Sequence, residues 1–156
     1  AYLHNLHVLA MATRFSGDTE LAVRRYRQVV AHVEDSLARF TPSSSDTTFE
    51  QEFLLRLINS LERMGDCNLF GDPAVRDLHE ASDDYRRALN LVYRIRRPEK
   101  RALWTSVLLY KRALALSLPS PVQDTHLALE MCRRADEIHA DRIETAQGLE
   151  QALGLS

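Results

Sequence analysis

Apolar positions recur along this chain at three- and four-residue spacings, the period of a helix with one buried face. No stretch shows the apolar–polar alternation between turns that marks a half-buried strand. The first stripe runs from Tyr2 to about Phe15 and carries Leu3, Leu6, Val8, Leu9 and Met11. Gly17-Asp18 breaks it, with glycine suited to the left-handed position after a helix and Asp18 or Thr19 able to cap the next. The second stripe, Leu21, Ala22, Tyr26, Val29, Val30, Val33 and Leu37, reaches about Phe40, and a loop over Thr41–Asp46 follows. A third helix is predicted from about Thr48 to Phe70, with Phe53, Leu54, Leu57, Ile58, Leu61 and Met64 on its buried face. Gly65 falls inside it at a cost of about 1 kcal/mol against alanine, which marks a close approach of another helix.

Gly71-Asp72-Pro73 turns the chain, with Asp72 as cap and Pro73 at the first helical position. The fourth helix is expected from Pro73 to Arg97, burying Val75, Leu78, Ala81, Tyr85, Ala88, Leu89, Val92 and Ile95. Pro98 opens a fifth, with Leu103, Trp104, Val107, Leu108, Leu114 and Leu118, and Pro119-Ser120-Pro121 stops it. The sixth begins near Val122–Asp124 and runs past Ala140 toward Leu153, with Leu127, Ala128, Met131, Ala135, Ile138 and Ile143 in its stripe. Six helices joined by short turns pair as three antiparallel hairpins, about 1–40, 47–97 and 98–153, in one all-α domain of 156 residues.

The second hairpin carries a specific pattern. Leu61-Glu62-Arg63-Met64-Gly65-Asp66 ends a first helix, and Ala81, Tyr85 and Ala88 follow on the second at four- and three-residue spacing. Small residues let two helices approach, and the aromatic fills the gap beside them. Ala22, Tyr26 and Val29 repeat that spacing in the first hairpin, where Ala10 takes the glycine position; Ala128, Cys132 and Ala135 keep it in the third without the aromatic. This pattern resembles the tetratricopeptide repeat, which implies a right-handed stack of hairpins; a compact helical bundle is the alternative. The chain departs from the family between Gly65 and Ala81, where it holds about four extra residues, and its helices outrun a repeat of about 34 residues. The phrase ending in Gly65-Asp66 within long, Arg- and Ala-rich hairpins is also similar to the sensor arrays of bacterial signalling ATPases.

The tetratricopeptide resemblance implies a partner protein or peptide held on the concave face lined by the first helices. Carried over residue by residue, that face comprises His4, His7, Met11 and Arg14 from hairpin one and Asn59, Glu62, Arg63, Asp66 and Phe70 from hairpin two. The family's best-known groove clamps a terminal carboxylate with a lysine and two asparagines. Neither of these two first helices contains lysine, so a chaperone-tail role is not expected, and the face would be mixed in charge.

Composition narrows the remaining functions. A formal net charge of −2 gives no overall attraction to nucleic acid or anionic lipid. The sharpest basic cluster, Arg94, Arg96, Arg97, Lys100 and Arg101, is a candidate anion site, and it supports a nucleic-acid-binding helical domain as the alternative function. Eighteen of the 20 basic residues are arginine, and the two lysines are Lys100 and Lys111.

No phosphate loop, nucleophile elbow or metal-ligand spacing is present, so neither catalysis nor a cofactor is expected. His4 and His7 share a helix face, but two ligands do not make a metal site. His79 with Asp83, and Asp136 with His139, are spaced as local pairs. Cys67 and Cys132 form no disulfide framework, which points to a reducing, cytoplasmic setting, and no run of 18 apolar residues suggests a membrane span. A chain opening at Ala1 without methionine suits a fragment of a longer protein, whose exposed terminal faces would make self-association, as a homo-oligomer, either an artefact or a real interface.

Overall fold

The structure, a computed structural model, describes residues 2–39, 47–152 and 154. The loop expected over Thr41–Asp46, with Phe40 and Leu153, lies outside the described residues, as do the side chains of Leu3 and Ile143. Among the described residues there are six α-helices and no strand: α1 Tyr2–Phe15, α2 Thr19–Arg39, α3 Thr47–Phe70, α4 Leu78–Leu89, α5 Pro98–Ser117 and α6 Thr125–Ala152. The all-α expectation holds.

The turns follow from their residues. Gly17 takes φ +89°, and Asp18 Oδ1 accepts from Leu21 N at 3.0 Å, capping α2. Asp124 caps α6 in the same way through Leu127 N at 3.0 Å. The fourth helix is shorter at both ends than its apolar stripe predicts. Asp72 does not cap it: its carboxylate accepts from Ala74 N at 2.9 Å and its carbonyl from Val75 N at 3.0 Å, closing a local turn instead. Asp77 is the cap, accepting from Glu80 N at 3.0 Å, and Val75 is left exposed. At the other end α4 stops at Leu89, and Val92–Arg94 forms a single 3₁₀ turn. Here a side chain competes for the backbone. Gln51 Nε2 donates to Arg94 O and Gln51 Oε1 accepts from Arg96 N, both at 3.0 Å. Val92 and Ile95 nevertheless stay buried.

Each helix packs chiefly on its neighbours in sequence. Within the second hairpin the helices run antiparallel: stepping back along α3 from Asn68 to Gly65 steps forward along α4 from Asp84 to Tyr85. Between hairpins they run parallel. His7 approaches Ser60, Thr19 approaches Asp72 and Glu34 pairs with Arg87, each across 53 positions. The second hairpin therefore lies beside the first in the same direction, with α1, α3 and α5 bridged along one face and α2 bridged to α4 along another.

The main core joins α1 to α5 around Tyr26, Leu54, Ile58, Leu61, Tyr85 and Leu108. A smaller one between α5 and α6 holds Leu109, Ala113, Leu116, Ala128, Met131 and Ala135. Gly65 is needed at the point of closest approach, since a Cβ there would lie 2.6 Å from the Tyr85 ring. Trp104 is half-buried at the edge of the main core.

Candidate partner-binding face

The face shared by α1, α3 and α5 gathers most of the residues singled out from the sequence. Its centre is Asp66, which the sequence suggests as a groove residue and which the structure places in the interior, 7% exposed. Its Oδ1 accepts from the Tyr85 hydroxyl at 2.7 Å. Lys111 Nζ lies 2.9 Å from both of its oxygens, and Arg14 Nη2 lies 3.8 Å from Oδ2. One carboxylate thus joins α1, α3, α4 and α5. Glu62 accepts from the same ammonium group. Burial pulls the Lys111 ammonium toward its neutral form, but hydrogen bonds to Asp66 and Glu62 more than offset this, so its pKa ends above the ordinary value. Burial, then the Asp66 charge and hydrogen bond, pushes the Tyr85 phenol up, so it remains a donor.

Around this centre the other predicted residues separate. His4 is exposed, and Met11 is half-buried against the main core. His7 stacks edge-on against Tyr26, with centroids 6.0 Å apart, and its Nδ1 lies 3.4 Å from Ser60 Oγ. Burial and the nearby Arg63, Arg56 and His4 lower its pKa, which favours the neutral ring at pH 7. Asn59 Oδ1 accepts from Arg63 Nε at 2.7 Å. Phe70 is exposed at the far end of α3. The residue the sequence reading missed is Lys111. It sits on the first helix of the third hairpin, where only its placement among apolar neighbours could have flagged an inward-facing charge.

Cys67 is buried, and burial pushes its thiol up to about 11, so no thiolate forms near pH 7. Asp84 is 1% exposed, accepts from Asn68 Nδ2 at 3.1 Å, and is pushed up to about 7 by burial. Asp83 pairs with Arg86 at 2.6 Å rather than with His79, and Asp136 accepts from Tyr110. Arg87 reaches Glu34 on α2 at 2.6 Å.

The basic cluster also divides. Arg94 pairs with Glu50 at 3.0 Å and Arg101 donates to Ile95 O at 2.9 Å, while Arg96, Arg97 and Lys100 are exposed. Among the described residues no three His, Cys, Asp or Glu side chains converge as a metal site, and no helix is long and apolar enough to cross a membrane. No family model, curated protein or solved structure matches the chain.

Proposed function

We propose that the α1–α3–α5 face holds a segment of a partner protein and that the chain works as a non-catalytic scaffold or sensor module of tetratricopeptide-like hairpins. The observation that carries this reading is the bridge from Arg14 through Asp66 to Lys111, which aligns three first helices on one polar face. The close approach of Gly65 to Tyr85 and the full burial of Ala22, Tyr26, Val29, Ala81, Tyr85 and Ala88 support the repeat resemblance behind it. His4, His7, Asn59 and Arg63 are the groups available to a partner. Asp66 and Lys111 act beneath them, holding the helices in register.

A photo-crosslinking amino acid at His4 or Asn59 tests the reading, with Arg24 on the exposed side of α2 as control. In lysate of the source cell, the same protein should be captured from both face positions and not from Arg24. Capture from Arg24 alone, or equal capture from all three, would refute the assignment of the face.

A further inference from the structure

A cleft of about 360 Å³ lies between the first turns of α3 and the α4–α5 connection, sharing no lining residue with the partner-binding face. Its volume falls in the range of small-molecule sites, roughly 300–1,000 Å³. We propose that it binds a small phosphorylated ligand, with the phosphate on Arg96, Arg97 and Lys100 and the apolar part against Leu55 and Ile95.

The first argument is preorganisation. Gln51 clasps the connection at two points, Arg94 O and Arg96 N. Arg101 holds Ile95 O, and Arg94 is tied to Glu50. The backbone that carries Arg96 and Arg97 is therefore fixed before any ligand arrives, which lowers the ordering cost of binding.

The second argument is charge. Five cations fall within eight residues, and the fold engages two of them. Arg96, Arg97 and Lys100 make no ion pair or side-chain hydrogen bond among the described residues. Glu52 is the one acid among the residues lining the cleft, so its three cations leave a surplus of two positive charges. A phosphate monoester or pyrophosphate carries the matching charge, and guanidinium groups suit its oxygens in bidentate geometry. The amino end of α5, which has no side-chain cap at Arg97, adds its dipole in the same sense.

Third, the arrangement is too small for a nucleic-acid track. Three free cations fall short of the roughly 6–10 phosphate contacts of a typical DNA binder. The chain as a whole is net −2.

The test is an amide-shift titration of the whole chain with inorganic pyrophosphate and with adenosine diphosphate. It is run on the wild type, on the triple variant Arg96→Ala, Arg97→Ala, Lys100→Ala, and on a control, Arg133→Ala with Arg134→Ala. All five positions are exposed, so the fold should survive, and the amide spectrum reports directly whether it does. Saturable shifts confined to residues 48–55 and 95–100 are expected. Affinity should fall at least about tenfold in the triple variant and stay unchanged in the control. Adenosine diphosphate should bind more tightly than pyrophosphate, because it alone reaches the apolar floor. No saturation with either probe, or equal loss in the two variants, overturns the site. A DNA duplex whose salt dependence reports more than about three neutralised phosphates overturns the small-ligand assignment in favour of nucleic acid.

Discussion

In the first hairpin the aromatic Tyr26 is fully buried, and its hydroxyl makes no well-formed hydrogen bond among the described residues, with the Arg63 guanidinium beside it. In the second, Tyr85 is equally buried, but its hydroxyl donates to Asp66. Aligned on the small residue of the first helix and the aromatic of the second, the two hairpins also correspond at a few neighbouring positions. Ala10 stands where Gly65 stands, so Met11 takes the place of Asp66. Three residues beyond each small residue lies a buried polar group, Thr13 or Asn68, and each meets the residue just before the aromatic. Arg25 donates to Thr13, and Asn68 donates to Asp84. The same steric slots are filled in both hairpins, while the polar group that completes each slot differs. Packing at these positions is alike in the two hairpins, while the chemistry inside it differs. Hairpin two has a carboxylate that also reaches α1 and α5.

The largest effect expected from this difference is at Asp66 itself. Asp66→Ala leaves the Tyr85 hydroxyl unpaired and removes one of the two acids that hold Lys111. Glu62 still compensates the partly exposed Lys111, so the cost is mainly that of the buried hydroxyl left unpaired, about 2–3 kcal/mol. Urea unfolding measures it, and a loss under about 1 kcal/mol would show that Asp66 is not the tie between hairpins. The same result bears on function, because a charge reversal at Asp66 would disturb the fold before it reported on any partner.

A second difference is pH dependence. Asp84 has an unfolded value near 3.8 and sits at about 7 in the fold because burial penalises its ionised form. Below the unfolded value the carboxyl is neutral in both states and costs nothing. Between the two values the unfolded chain ionises and the native chain resists, so stability falls as pH rises, and above about 7 the cost is complete. From pH 5 to pH 8 the loss amounts to about 3 kcal/mol. Hairpin one carries Arg25 with Thr13 in this slot and has no such carboxylate. Thermal midpoints of wild type and Asp84→Asn at pH 5 and pH 8 test this. The advantage of the asparagine variant should widen at pH 8, and a constant gap would refute the titration.

What the sequence revealed and what it hid divide along the same line. The helices, their stripes and the Gly65 approach were legible because they depend on spacing within one or two turns. So was the Ala81, Tyr85, Ala88 set, which is a local alternation of small and large residues. The start of α4 was misread because Asp72 and Asp77 are both good caps, and only the turn closed by Ala74 and Val75 decides between them. The sequence puts Asp66 on the groove face, because an acid late in a charged helix normally points outward. Its burial depends on Lys111, 45 positions away, and no local pattern announces that contact. The Arg94–Arg101 block looks uniform in sequence, yet Glu50 and the Ile95 carbonyl divide it into engaged and free cations.

The smallest expected effect isolates the two hydroxyl groups from everything else in their slots. Tyr85→Phe removes a donor from a buried carboxylate and should cost about 1–2 kcal/mol, in the range of hydrogen bonds to charged groups. Tyr26→Phe removes a hydroxyl whose desolvation no well-formed hydrogen bond offsets, so stability should change by less than about 0.5 kcal/mol or rise slightly. Both rings are fully buried, so the apolar packing lost is nil in each case, and the difference between the variants reads the contribution of Asp66 alone. Urea midpoints measured side by side suffice. Equal losses at the two positions would mean that Tyr26 has a polar partner of its own, with the neighbouring Arg63 guanidinium the first group to examine. In that case both hairpins would complete their aromatic slot with a charge, and Met11 would not be the true counterpart of Asp66.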